Sequence, residues 1–407
     1  MTHQPKHPLI AVLALALIEF ACSLDWMALN AIGGSLMRDL ALSPASYALL
    51  VSAGSVTAGL SGFLVAGFID RFERRRVTEI MVGGLFITGL LTTQINHYWM
   101  LLALRALAGI FGATAASQAY AMVADLFDAD KQPRANAFVI GGFSASLGLG
   151  LPTLVFIESH FGWHSIYYLI AFLLLLTLIL IRTQIPVLEA HPGPAPWQQL
   201  KRMLQHRPHQ KGLMLMSTVM GCGWILVPFI APYFTYTLHM PASGIAQFYL
   251  YAGITVVSTN FAMSLLVEKW GLQPVLFGVI MLAIPLQYLL THLNSLDVMH
   301  ATLIAVCFYA CSVSRWSMCN QLMTSHIMPG MRGGMMSLSF ALQECAGGLV
   351  VTLGGTLMFM QQGQLFGYER LGLISIGFNL LLIYLIVILS RENPSVIKEL
   401  RPDIHIH

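Results

Sequence analysis

Asp70-Arg71-Phe72-Glu73 separates two long apolar runs, and the chain repeats the arrangement at Glu268-Lys269-Trp270-Gly271, 198 residues further on. Acid falls on acid, base on base and aromatic ring on aromatic ring. The same offset relates Arg134 to Arg332, each in a later polar loop of its own half. Six apolar runs precede the polar, proline-containing stretch 183–210, and six follow it. Two six-helix halves related about the membrane normal produce this kind of internal repeat, and such folds place their binding site between the halves near the bilayer midplane. The halves are read as residues 1–182 and 211–407, joined by the loop 183–210.

Composition supports the membrane setting. Of 407 residues 57% are hydrophobic and 10% are charged, where a soluble domain carries about 25% charged residues to keep its surface in water. A helix needs about 20 mostly apolar residues to cross the hydrocarbon core. Runs of that kind lie near 9–37, 43–69, 77–96, 98–126, 135–158, 163–182, 211–237, 244–267, 273–292, 298–325, 333–360 and 369–390. They are continuous, without the two-residue alternation of a membrane barrel. The reading is an all-α polytopic membrane protein: twelve transmembrane helices in two six-helix halves around a central cavity.

The 21 Lys and Arg residues set the expected orientation. With the N-terminus inside, all of them fall on the cytoplasmic side except Arg38 and Arg370, which fall outside, and Arg105 and Arg315, which fall within spans. That is the positive-inside pattern, and it makes both termini cytoplasmic. Glu19 interrupts the run from Leu9 to Ile18, and hydrophobicity continues to Met37, so the first segment reads as a span and not a cleaved signal. All six cysteines fall inside spans, which implies neither a disulfide framework nor a metal site.

Ionisable residues inside a span are costly and usually functional. Five occur: Glu19 and Asp25 in span one, Arg105 in span four, Arg315 in span ten and Glu344 in span eleven. At about 1.5 Å rise per residue, Asp25 and Arg105 share the outer half of the membrane. Arg315 and Glu344 share the middle or inner half. Depth therefore predicts two ion pairs, Asp25–Arg105 and Arg315–Glu344. Such acids serve proton coupling, or a buried pair fixes helix packing. Polar and aromatic candidates for the cavity wall are Asn30, Gln118, Tyr120, Trp224, Tyr236, Asn260, Trp316, Asn320, Gln321 and Gln343.

Ala66-Gly67-Phe68-Ile69-Asp70-Arg71-Phe72-Glu73-Arg74-Arg75-Arg76 resembles the loop signature of the major facilitator superfamily, G-x-L-A-D-R-x-G-R-R. Glu73 and Ala66 stand where that signature has glycines. Arg105-Ala106-Leu107-Ala108-Gly109-Ile110-Phe111-Gly112-Ala113 is similar to the span-four signature of its proton-coupled drug antiporters. The span-five Gly-Pro pair of that subgroup is split here, as Gly148-Leu149-Gly150-Leu151-Pro152. The resemblance implies alternating access around a cavity lined by spans one, four, seven, ten and eleven. It also implies a cytoplasmic gate at Asp70, Arg71, Arg75, Arg134, Glu268 and Arg332, with Asp70 contacting Arg134. A proton-coupling and substrate site is expected among Asp25, Arg105, Glu344, Arg315, Glu19 and Asn30.

The function expected is a secondary active transporter of the inner (plasma) membrane, exporting a small drug-like or metabolite-like molecule against protons. The alternative is an importer of a sugar, organic acid or siderophore. The expected partners are the substrate, protons and the lipid bilayer, for a monomer with no cofactor and no nucleic acid. The chain contains no H-E-x-x-H, G-x-S-x-G or G-x-x-x-x-G-K-[ST], which argues against an enzyme and against direct ATP drive.

Overall fold

A computed structural model describes residues 7–65, 72–128, 130–188, 204–293, 298–327 and 332–392. These form twelve helices. The first six are α1 (Pro8–Asp39), α2 (Pro44–Val65), α3 (Arg74–Thr92), α4 (Tyr98–Leu126), α5 (Gln132–Phe161) and α6 (Ser165–Gln184). The last six are α7 (Arg207–Tyr236), α8 (Ala242–Trp270), α9 (Leu272–Thr291), α10 (Val298–Ser325), α11 (Arg332–Thr356) and α12 (Tyr368–Glu392). Among the described residues eleven helices are long and apolar enough to cross a membrane. The twelfth, α3, opens with Arg74, Arg75 and Arg76, which lowers its hydropathy.

Helix ends follow local chemistry. Pro8 opens α1 at a position that needs no N–H donor. Gly162 and Gly271 carry φ of 81° and 83° and turn the chain sharply after α5 and α8, a conformation that side chains with a Cβ resist. Two helices are interrupted. In α5 the stretch Ser146–Gly150 widens into a π turn just before Pro152, whose ring cannot continue regular hydrogen bonding. In α7 the helix Arg207–Gly223 stops, a turn runs through Trp224, Ile225 and Leu226, and a 3-10 turn Val227–Phe229 leads into Ile230–Tyr236. Pro228 and Pro232 keep that second part from joining the first.

One expected boundary is corrected. The eleventh span was expected to run to residue 360, but α11 ends at Thr356 and the chain forms a hairpin, β1 (Phe359–Gln361) against antiparallel β2 (Gln364–Phe366). Its two-residue turn, Gln362-Gly363, has both φ values positive, 51° and 79°, the geometry that matches strand twist. We call the side of the bundle that carries this hairpin the hairpin end, and the opposite side, where α3 begins, the arginine end.

Small residues let the helices meet closely. Gly109 of α4 abuts the Gly54 carbonyl of α2, and Thr57 donates to the Ala106 carbonyl at 2.7 Å. Gly142 of α5 lies against the Ala16 carbonyl of α1. Between the first and last six helices, α1 packs on the second part of α7, and two longer seams run beside it. Along α2 and α11, Gly355 meets Ala48 and Gly348 meets Val56, while Gly59 meets Ala341 and Cys345. Thr352 Oγ1 also donates to Ser52 Oγ at 2.8 Å. Along α5 and α8, Gly148 meets Gly253 backbone to backbone.

Candidate functional site

Asp25 of α1 and Arg105 of α4 lie against each other. Arg105 Nη2 donates to Asp25 Oδ1 at 3.1 Å, and Nη1 donates to Oδ2 at 3.2 Å and to the Asp25 carbonyl at 3.4 Å. Both side chains are only 5% exposed. The guanidinium also covers the ring of Tyr167 from α6, 5.2 Å from its centroid. A fork-to-fork pair of this kind fixes two planar groups in one orientation. It therefore holds three helices of the first half in register.

The second expected pair does not form. Arg315, fully buried, donates from Nη1 to Asn379 Oδ1 of α12 at 3.0 Å and from Nη2 to Ser312 Oγ at 3.5 Å. Asn379 Nδ2 in turn donates to Gln287 Oε1 of α9 at 2.9 Å. Gln287 Nε2 and Ser375 Oγ both donate to the Cys222 carbonyl, at the point where α7 breaks. A Cβ on Gly223 would stand 3.0 Å from Arg315 Nη2, so the guanidinium sits at the C-terminal end of the helical segment Arg207–Gly223. The negative end of the helix dipole and its orphan carbonyls stand in for a counter-charge there.

Glu344 faces elsewhere because equal depth does not fix direction around a helix. On α10, Arg315 shares a face with Cys311, Cys319 and Leu322, which pack into the core of the last six helices. On α11, Glu344 lies beside Ala341, Cys345, Gly348 and Thr352, the stripe applied to α2. Its polar neighbours are Ser55 of α2 and Trp26 of α1. It is 8% exposed, and its Oε2 has no hydrogen-bond partner. Glu19, 7% exposed, accepts from Ser23 Oγ at 3.2 Å and likewise leaves Oε2 unpartnered.

Trp26, which sequence reasoning did not single out, joins the halves. Its indole stacks on Trp224 at the α7 break, with ring centroids 4.7 Å apart and planes 8° from parallel, and its N–H donates to Ser55 Oγ at 3.2 Å. Trp224 also lies over Gly347, where a Cβ would stand 3.2 Å from Trp224 Cδ1.

Towards the hairpin end the halves are tied by three tyrosine hydroxyls. The Tyr47 hydroxyl of α2 lies within hydrogen-bond reach of the carbonyls of Leu29 (3.0 Å) and Pro228 (2.8 Å), which share its one proton. Tyr236 of α7 donates to the Gly34 carbonyl (3.0 Å), and Tyr249 of α8 to the Asn30 carbonyl (2.9 Å). Asn30, expected in the cavity wall, is buried in this closure, and neither of its side-chain amide atoms has a partner. Trp316 donates to Gln343 Oε1 at 2.6 Å, and Ser314 to Asn260 Oδ1 at 3.3 Å.

At the arginine end, Asp70 and Arg71 and the side chain of Arg332 lie outside the described residues, and so does the expected Asp70–Arg134 contact. Arg75 binds within the first half: its Nε donates to Glu79 Oε1 at 3.1 Å, and its Nη atoms donate to the carbonyls of Arg182 and Ile185 at 2.8 and 2.9 Å. Arg74 meets Asp125 of α4 at 3.2 Å, a contact the sequence reading missed. Arg134 is exposed beside an apolar groove between α1 and α5, lined by Leu13, Leu17, Phe20, Phe138 and Gly141. Glu268 is exposed near the end of α8.

The sequence pattern of the Major Facilitator Superfamily matches residues 15–352. An uncharacterized MFS-type transporter of Bacillus subtilis, YbcL, is 23% identical over 391 residues, covering 95% of this chain and 97% of its own. Two partial likenesses reach 27% identity. One is to the gallate transporter of Pseudomonas putida, over 39% of this chain and 35% of the relative. The other is to the multidrug efflux pump LfrA of Mycolicibacterium smegmatis, over 39% and 30%. Solved transporter structures superpose with TM-scores of 0.69–0.74 at 12–16% identity, over 92–97% of this chain and 95–99% of theirs, a likeness of fold. The match over most of the chain and the twelve-helix architecture agree: the chain belongs to the Major Facilitator Superfamily of membrane transporters.

Proposed function

We propose that this chain exports a small organic molecule in exchange for protons, by alternating access of a site between its two halves. The observation that carries this reading is Glu344. It is a buried carboxyl at the seam between the halves, with neutral neighbours and one oxygen without a partner. A carboxyl changes its proton affinity when its surroundings change. An acid at a moving seam, met first by one side of the membrane and then by the other, can load a proton on one side and release it on the other. Asp25, already satisfied by Arg105, serves as a fixed neutral pair that orients α1 and α4. With the N-terminus inside, the hairpin end is the outer end, and its tyrosine bonds hold the outer side closed. Export draws support from the span-four stretch Arg105–Ala113, and LfrA, a partial relative, is an efflux pump.

The test is substrate accumulation in inverted membrane vesicles under an imposed proton gradient. Accumulation that collapses with an uncoupler and is lost in Glu344→Gln is expected. Uptake confined to right-side-out vesicles overturns export, and gradient-driven transport that survives Glu344→Gln overturns the role of this carboxyl.

A further inference from the structure

The apolar groove between α1 and α5 lies within the first half. Leu13 and Leu17 form its α1 wall, and at 3.6 residues per turn they stand about 140° and 180° around that helix from Trp26, which faces the second half. The groove therefore opens on the outer flank of the bundle, where the bilayer lies. Phe20 continues the α1 wall, and Phe138, Gly141 and Ala145 line the α5 side. Gly142 lies on the Ala16 carbonyl and closes the floor. A Cβ at Gly141 would meet no atom within 4 Å, so the groove keeps open space there. Its volume is about 640 Å³, inside the range of roughly 300–1,000 Å³ usual for ligand clefts.

Length and charge narrow what fits. From Arg134 to Ala145 the groove runs about 17 Å along α5, and one leaflet supplies about 15 Å of hydrocarbon. Arg134 stands exposed at the arginine end of the groove, and among the described residues no carboxylate pairs with it. Lys131 is committed to Asp128 at 3.0 Å, and the first turn of α5 carries no acid. A cation at the start of a helix sits where the dipole favours an anion, so this place is short of negative charge.

We propose that the groove seats an acyl chain of an anionic phospholipid from the leaflet at the arginine end, with its headgroup on Arg134. A guanidinium binds a phosphate through two parallel bonds, and the apolar walls take the chain. An extended protein segment would bring backbone N–H and C=O groups to walls that offer them no partner; an acyl chain brings none. The seat ends at Ala145, just before the π turn that meets α8 at Gly253. An occupant thus braces α5 against α1 up to the point where α5 touches the second half. The proposal stands apart from the transport reading.

The experiment is a native mass spectrometry titration of the full chain in detergent, which resolves the first bound lipid. The probes are dioleoyl phosphatidylglycerol, which carries a net negative charge, and dioleoyl phosphatidylcholine, which carries none. Phosphatidylglycerol should bind about fivefold tighter, the share of one arginine near a membrane surface. Arg134→Gln should abolish that preference, and Arg134→Lys should keep most of it. Gly141→Leu and, one turn away, Ala137→Leu fill the groove and should weaken both lipids. Gly83→Leu, at an equally open position on α3, should weaken neither. Equal binding of the two lipids by the wild type, or a preference that survives Arg134→Gln, overturns the proposal. Loss of preference in Arg134→Gln with undiminished binding in both filled variants overturns it as well, because the headgroup would then be held at the surface without a seat for its chain.

Discussion

Replacing Asp25 by Asn keeps the shape of the side chain and removes its charge, which leaves Arg105 buried without its counter-ion. The wild-type pair makes two guanidinium–carboxylate bonds of 3.1 and 3.2 Å, and each side chain is 5% exposed, so water cannot take over the carboxylate's part. What stays with Arg105 is the Asp25 carbonyl at 3.4 Å and the Tyr167 ring at 5.2 Å, neither of which carries negative charge. Removing one partner of such a pair costs about 3–5 kcal/mol. Arg105→Gln, which strands the acid instead, is expected to cost a similar amount. The double variant Asp25→Asn/Arg105→Gln strands neither charge and should be no less stable than either single variant. The coupling should therefore be about 3 kcal/mol, measured as a double-mutant cycle by unfolding of the purified protein followed by circular dichroism. Single effects that add within about 0.5 kcal/mol would refute the reasoning, because they would mean the two groups do not sense each other.

Asn379→Leu removes the acceptor of Arg315 Nη1 and the donor to Gln287, and should destabilise the protein by about 2–4 kcal/mol in the same unfolding assay. A loss below about 0.5 kcal/mol would mean that the α7 carbonyl end alone suffices for Arg315. Tyr47→Phe deletes the hydroxyl that reaches the Pro228 carbonyl across the halves and the Leu29 carbonyl within its own, worth about 1–1.5 kcal/mol. That corresponds to about a tenfold rise in the open population at the hairpin end, and labelling of a cysteine introduced at Thr235 should quicken to match. Unchanged labelling would remove Tyr47 from the closure. Gly109→Leu drives a side chain into the Gly54 backbone and should cost about 1–3 kcal/mol or block folding, seen as lost monodisperse protein on size exclusion. Gly83→Leu on α3, which has open space around its Cβ position, is the matched control and should behave as wild type.

Height in the membrane was legible in the sequence, and direction around each helix was not. Counting residues placed Asp25 and Arg105 at one level, and both happen to face inward from α1 and α4, so their meeting followed. The same count placed Arg315 and Glu344 together and failed, because Arg315 faces the α9–α12 side and Glu344 faces α2. The information was partly present in the spacing of Ala341, Cys345, Gly348 and Thr352, a close-packing stripe that includes Glu344 and therefore points at another helix. Span positions came through because apolar runs are set by bilayer thickness. The exception was the Phe359–Phe366 hairpin, whose apolar residues extend the α11 run while Gln362-Gly363 carries the only turn signal. Trp26 escaped notice because an indole inside a span is ordinary on its own. Its meaning comes from Trp224, nearly two hundred residues away, and from the break in α7 at which that ring sits.

The two long seams between the halves, on either side of the α1–α7 contact, are unequal, and this governs how the molecule can move. Along α2 and α11 the backbones touch from Gly355 to Gly59, through glycines and a hydroxyl pair that tolerate no gap. Along α5 and α8 the backbones meet at Gly148 and Gly253, next to the π turn. One seam is thus a book's spine and the other its fore-edge. A rotation that separates the halves by a small angle barely shifts the spine, and the displacement grows in proportion to distance from it. A rotation about the spine therefore carries α8 away from α5 further than it carries α11 away from α2.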